Sequence, residues 1–238
     1  MRASGSSSGD PLRRRDFVAR HTRLTVLPGV PELRLYLADE LTPIWEMTEE
    51  ELGERGVPPP FWAFAWAGGK AVARYLLDEP DAVAGRTVLD LAAGSGLCAI
   101  AAMCAGARQV IAADVDPFAG AAVALNAEAN GVAVEVTDTD MLDGEPPDVD
   151  VVLAGDVCYE RRMAARMLGW LRLARQRGSV VLLGDPGRMY LPADGLRPLA
   201  EYDVPTTPEV EQDSLTHTTV YALELPAQPV GRSTLSGG

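Results

Sequence analysis

Val88–Met103 reads VLDLAAGSGLCAIAAM, and the fold follows from how this stretch divides. The apolar run Thr87-Val88-Leu89 ends at Asp90. A loop of small residues, Ala92-Ala93-Gly94-Ser95-Gly96, comes next, and Leu97–Ala107 is rich in good helix formers. The order is strand, glycine turn, helix. Gly94 and Gly96 permit backbone angles that a side chain forbids, and they let a ligand lie against the main chain. The free N–H groups that open the following helix then face that ligand. A second apolar run, Val110–Ala113, ends at Asp114, 18 residues beyond Gly96. An acid at the tip of a second strand is where the ribose hydroxyls of a nucleoside would be held.

Dinucleotides and S-adenosylmethionine both use this geometry. Gly94-Ser95-Gly96 with Ala99 three residues later would satisfy a dinucleotide pattern. Asp90, four residues before the first glycine, argues the other way, because a fixed carboxylate repels a pyrophosphate and attracts cationic groups. S-adenosylmethionine carries an ammonium and a sulfonium and no phosphate, so Asp90 favours it over NAD. The competing structural reading has the glycines merely turning the chain and Asp90 exposed to solvent.

Further stretches extend the pattern: PPFWAFAWAGG (59–69), DVDPFA (114–119), LNAEANGV (125–132), GDVCYE (155–160) and GDPGR (184–188). With VLDLAAGSGL (88–97), they make the chain resemble a class I S-adenosylmethionine-dependent methyltransferase. Within that class it is similar to the protein-lysine methyltransferases that modify the β-subunit of electron transfer flavoprotein. The resemblance runs from about Phe17 to Leu225. It implies an α/β fold with a seven-stranded Rossmann-like sheet, helices on both faces and an N-terminal extension. It also places Trp66 and Gly68 beside the cofactor, and Asp140 where the adenine amino group is accepted, with Asp138 the competing choice. Ala92, Val115, Met141 and Gly155 flank these positions and complete the expected cofactor-binding set of Trp66, Gly68, Asp90, Gly94, Gly96, Asp114 and Asp140.

The chain around these motifs alternates strand and helix, as a parallel sheet requires. Pro117–Asn130 reads as a helix with Asp116 as its N-cap. Val132–Val136, Val149–Ala154 and Ser179–Leu183 read as strands, Arg161–Arg177 as an amphipathic helix, and Glu201–Val204 with His217–Leu225 as a hairpin. Upstream, a short helix near Phe17–Thr22, a strand Leu33–Leu37 and an acidic helix near Thr48–Arg55 form a candidate lid over residues 17–57, ahead of a single methyltransferase domain spanning 17–226. Residues 1–16 and 227–238 are expected to be disordered tails. In the aromatic run, Phe61 and Phe64 are expected to plug the edge of the core.

The chemistry is expected at the tip of the fourth strand, Asp156-Val-Cys-Tyr159. Methyltransferases that modify a planar amide or amino group usually carry an N-P-P-Y tetrad there. A carboxylate and a phenol instead suit a cationic amine: Asp156 can pair with an ammonium, and the Tyr159 ring can hold the cation on its face. The alternative is that Asp156 only caps the next helix.

Composition narrows the partners. A formal net charge of −13 over 238 residues argues against nucleic acid, whose phosphates call for basic surface. No apolar run reaches membrane-spanning length. Three cysteines without C-x-x-C spacing and two histidines argue against a metal centre. Arg13-Arg14-Arg15 is followed by Asp16 and mixed sequence rather than an apolar segment, which points to the cytoplasm. The expected activity is therefore S-adenosylmethionine-dependent methylation of lysine in a protein. A small-molecule N- or O-methyltransferase and a non-catalytic cofactor-binding module are the rivals.

Overall fold

The computed structural model describes residues 11–52, 59–206 and 214–225. Its centre is a seven-stranded sheet in the order β5-β4-β3-β6-β7-β9-β8. These strands are β3 (Thr87–Leu91), β4 (Gln109–Ala113), β5 (Glu135–Thr137), β6 (Val151–Gly155), β7 (Val180–Asp185), β8 (Leu196–Pro205) and β9 (Leu215–Leu223). The first five in spatial order are parallel, and β9 runs antiparallel to both β7 and β8. The central strands are apolar along nearly their whole length because both faces are covered, as parallel sheets require. Helices α3 (Ala67–Asp78), α4 (Leu97–Cys104) and α5 (Pro117–Ala129) bury apolar residues in clusters separate from the one that holds α6 (Arg161–Gln176). The chain runs outward from β3 to β5 and returns to β6 beside β3. The crevice at the carboxyl ends of β3 and β6 is thus the topological switch point, where such sheets place ligands.

Three glycines let α3 close over that crevice. A Cβ on Gly68 would overlap the Gly184 carbonyl oxygen, one on Gly184 would overlap that of Gly68, and one on Gly155 would come within 2.8 Å of the Gly69 Cα. The helix N-terminus can therefore sit directly on the tips of β6 and β7.

The N-terminal region differs most from the sequence expectation. Helix α1 spans Pro11–His21, so the disordered tail expected through residue 16 gives way to helix at Pro11. It is held by Phe17 and Val18, which are buried; the Phe17 ring lies 5.1 Å from that of Phe118 on α5. The expected strand at 33–37 belongs to a hairpin of β1 (Arg23–Leu27) and β2 (Val30–Leu37), and helix α2 covers Leu41–Leu52. The remainder of the acidic helix expected to residue 55 lies outside the described residues, as do residues 1–10 and 226–238.

Asn126 on α5 and Asn130, its C-cap one turn later, dock the hairpin. Asn126 Oδ1 accepts from the Tyr36 N–H at 2.6 Å, and Asn130 Oδ1 accepts from the Arg34 N–H at 3.0 Å, so the side chains satisfy the free edge of β2 as a strand would. Asn126 also donates to the Ser95 carbonyl at 2.9 Å, which ties the same hairpin to the glycine loop. Helix α1 packs on α5 and the buried side chains of the hairpin pack in the cluster that holds α3 and α4; the described lining of the crevice begins at Pro59, and residues 53–57 of the expected lid lie outside the described residues. The third parallel strand starts at Glu135 instead of Val132 because Gly131 (φ +68°) and Val132 are used in closing α5, where the Val132 N–H donates to the Ala127 carbonyl. No helix among the described residues is long and apolar enough to cross a membrane.

Candidate active site

A cavity of about 430 Å³ opens at the tips of β3, β4 and β6, with mostly apolar walls broken by aspartates at 90, 114, 116, 140 and 156. The loop after β3 shapes its floor. Ala92 and Gly94 take left-handed backbone angles (φ +58° and +51°) and line the cavity. Gly96 (φ +78°) does not line it. It opens α4, and a Cβ there would come within 3.0 Å of the Val123 side chain, so its role is the close approach of α4 and α5. Asp90 is 2% exposed, and its Oδ2 accepts from the Ala99 N–H at 2.9 Å. Burial pushes its carboxyl up to about 7, and the nearby Asp114 adds to the rise while that N–H opposes it. Among the described residues no Lys, Arg or His forms an ion pair with Asp90.

Asp114 stands where the sequence places it, at the end of β4. Its Oδ2 accepts from the Gly94 N–H at 2.8 Å and its Oδ1 from the Asp116 N–H at 2.9 Å, so it braces the glycine loop. Burial raises its carboxyl too. Val115 beside it lines the rim and is 61% exposed. Asp140 and Met141 line the far wall, whereas Asp138 is not part of the lining. Asp140 Oδ1 accepts from the Leu142 N–H at 3.0 Å, and its Oδ2 from Arg166 Nη1 at 2.9 Å. Arg166, on α6, also lines the cavity and went unnoticed in the sequence.

Opposite lies the strand tip carrying Gly155, Asp156 and Tyr159. Asp156 is nearly buried, with a left-handed backbone (φ +58°) that only a specific environment maintains. Its Oδ2 accepts from the Gly69 N–H at 2.9 Å, and its Oδ1 from Arg188 Nη2 at 2.6 Å and Nε at 3.1 Å. Burial pushes its carboxyl up to about 6 against the pull of Arg188. The helix-capping alternative fails, because α6 is capped by Glu160, whose oxygens accept from the Arg162 and Met163 N–H groups. Arg188 is a second lining residue of weight; in the sequence, Asp185 and Arg188 read equally well as substrate-facing residues or as turn formers.

The aromatic run divides differently from expectation. Trp62, 1% exposed, fills the core by stacking on Phe118 at 5.8 Å, and Phe64 is buried as expected. Phe61 instead faces the cavity mouth at 36% exposure, its ring 5.6 Å from the half-exposed Tyr159 ring. Trp66 lines the wall, with its indole Nε1 donating to the Phe61 carbonyl at 3.0 Å. The neighbouring lining glycine is Gly69; Gly68 faces the strand tips.

An apolar cavity with buried, raised carboxylates suits a ligand that brings positive charge and hydrogen-bond donors and carries no phosphate. S-adenosylmethionine fits that description. Asp90 is the decisive feature, a desolvated acid with no cationic partner among the described residues, beside which a pyrophosphate would be repelled.

Comparison with known proteins agrees. Residues 75–157 match the family described as Ribosomal protein L11 methyltransferase (PrmA). A Xenopus laevis protein named electron transfer flavoprotein beta subunit lysine methyltransferase is 38% identical over 216 residues, covering 88% of this chain and 87% of its own length. The human protein of that name is 35% identical over 218 residues, covering 87% and 81%. Among solved structures, a ribosomal protein L11 methylase from Lactobacillus delbrueckii subsp. bulgaricus aligns at 18% identity over 68% of this chain and 81% of its own, with a TM-score of 0.47.

Proposed function

The chain belongs to the electron transfer flavoprotein beta subunit lysine methyltransferase family, whose cofactor is S-adenosylmethionine, and from that premise we propose that it methylates the ε-amine of lysine in a protein. The substrate named for its relatives, the β-subunit of electron transfer flavoprotein, is the first candidate. The observation that carries the reading is the Asp156 carboxylate at the cavity wall, with the half-exposed Tyr159 and Phe61 rings at the mouth. The open rim suits a side chain presented by a large partner better than an enclosed metabolite. The acidic balance supports a protein substrate over nucleic acid.

When bound, S-adenosylmethionine supplies a methyl carbon on a positive sulfur, which an uncharged amine nitrogen takes by in-line displacement as the thioether leaves and the nitrogen gives up its proton. The protein contributes positioning and exclusion of water. Asp90 matches the cofactor's positive charge, Asp114 and the glycine loop receive the ribose, and Asp140, steadied by Arg166, receives the adenine amino group. Trp66, Val115 and Met141 pack around them. Asp156 and the Tyr159 ring hold the acceptor. Since free lysine titrates at about 10.4, the site must favour the neutral amine.

The test is methylation with tritiated S-adenosylmethionine, using purified electron transfer flavoprotein and a lysate as acceptors, followed by peptide mapping. Label on protein lysine is expected; label confined to a small molecule would establish the metabolite reading instead. Self-labelling cannot confuse the assay, because Lys70 is the only lysine in the chain and is buried, its Nζ donating to the Pro205 carbonyl at 2.8 Å.

A further inference from the structure

We propose that Arg188 is the positioning residue of the acceptor site: by clasping Oδ1 of Asp156 it fixes that carboxylate and cancels its charge, so an incoming lysine meets a neutral ion pair. The inference rests on the reading of Asp156 as the group that receives the amine.

The turn that delivers Arg188 is built for aim. β7 ends at Asp185, whose Oδ1 accepts from the Gly187 N–H at 2.8 Å and the Arg188 N–H at 2.6 Å. Gly187 has φ +88°, which folds the chain back toward the neighbouring strand. β6 and β7 are paired through Gly155 and Gly184, so the turn and Asp156 stand on adjacent strand tips. The guanidinium then places two N–H groups on one oxygen, at 2.6 and 3.1 Å, with the side chains only 19% and 9% exposed. A third N–H, from Gly69 at the start of α3, holds the other oxygen at 2.9 Å. Three donors from two elements leave the carboxylate little freedom to turn.

The charge matters as much as the geometry. A bare buried carboxylate would attract a lysine ammonium and also make it hold its proton, because an opposite charge favours the charged form. That would oppose formation of the nucleophile. Arg188 removes most of this penalty, and a guanidinium stays charged at any working pH. The other ionisable groups near Asp156 are Asp185, which adds slightly to the rise that burial causes in its carboxyl, and the thiols of Cys98 and Cys158, raised chiefly by burial with a lesser push from its charge. Tyr159 follows three residues later on the same turn, its phenol raised chiefly by burial. Among these groups Arg188 is the one that holds Asp156 in its ionised form.

Two readouts separate this role from plain structural support. In ligand-free protein with ¹³C-labelled aspartate carboxyls, the resonance lost in Asp156→Asn identifies Asp156, which titrates near 6. In Arg188→Met its midpoint should move up by about 1–3 pH units, with much of the shift reversed in Arg188→Lys. In methylation assays at saturating cofactor, the acid limb of kcat against pH should move up in Arg188→Met, giving a loss of about tenfold or more at pH 7 that shrinks toward pH 9, and Arg188→Lys should restore part of it. An unmoved carboxyl midpoint, or a loss that is uniform at every pH, would overturn the proposal. Should Arg188→Met fail to fold, Arg188→Gln and Arg188→Lys give the same comparison. If the native protein labels no lysine, the functional reading fails, while the carboxyl titration still judges the pairing.

Discussion

Strands β3 and β6 lie side by side, and aspartates stand at both ends of the pair under opposite conditions. At the amino end Asp150, just before β6, accepts from the Thr87 N–H and the Thr87 hydroxyl, each at 2.7 Å, at the start of β3. It is exposed, and these bonds hold its carboxyl below the usual range. At the carboxyl end Asp90 and Asp156 are buried and pushed up to about 7 and about 6. Asp150 stitches two strands together and is served by neighbours that need nothing further. Asp90 is desolvated, takes one N–H from Ala99, and has no cationic partner among the described residues. A fold gains nothing from such a group alone, since burying an acid without a partner is costly. Its presence at the switch point marks a place where a ligand completes the structure.

The largest test of this contrast is Asp156→Asn. It preserves size, removes the charge and turns one of the two accepting oxygens into a donor, so turnover should fall by about 100-fold or more with little change in cofactor affinity by calorimetry. Loss of both would mean that Asp156 supports the fold. Next, Asp90→Asn and Asp114→Ala should each weaken S-adenosylmethionine binding by about 1–3 kcal/mol. At the same time Asp90→Asn should raise the melting temperature of the ligand-free protein at pH 8, because it removes an uncompensated buried charge. A mutant that binds normally would break the assignment of that residue.

The same contrast has a pH signature. Asp90, Asp116 and Asp156 bind protons more tightly folded than unfolded, with folded values of about 7, 6 and 6. Ligand-free stability should therefore fall as pH rises from about 4 toward 7. Glu32, Asp150 and Glu160, all held low by hydrogen bonds, act the other way, and their contribution is lost only as pH drops below about 4.5. Thermal melts of the ligand-free protein should thus peak on the mildly acidic side; a maximum at pH 8 would show that the cavity acids are already paired. The smallest functional effect belongs to Asp150→Ala, which should lower the melting temperature slightly and leave cofactor affinity unchanged.

What the sequence shows of this arrangement is what lies close along the chain. Asp90, the glycines and Asp114 fall within one strand–loop–helix–strand unit, and Asp116 caps α5 by a bond two residues long. Arg166 escapes because its partner Asp140 is 26 residues away and only the packing of α6 unites them, and Arg188, though readable as a substrate-facing residue, gives no local sign of Asp156, 32 residues away on the neighbouring strand tip. The docking of the β1–β2 hairpin on α5 is hidden for a similar reason. Leu33–Leu37 reads as a strand, but nothing local says that Asn126 and Asn130 will serve as its edge partners. In the aromatic run, residue type marks Phe61, Trp62 and Phe64 as buried alike, whereas the short helical turn Phe61–Ala63 sends Trp62 inward and leaves Phe61 at the mouth. Gly68 was expected beside the cofactor, whereas the backbone it approaches is that of Gly184 on the neighbouring strand tip.

The central claim is that the acid at the tip of β3 waits for a cationic cofactor, and proton linkage tests it most directly. Calorimetry of S-adenosylmethionine binding at pH 7, in buffers of different ionisation enthalpy, should show more proton release from the native protein than from Asp90→Asn, because a carboxyl titrating near 7 gives up its proton as the cation arrives. Equal proton release from the two proteins, with equal affinity, would contradict the account.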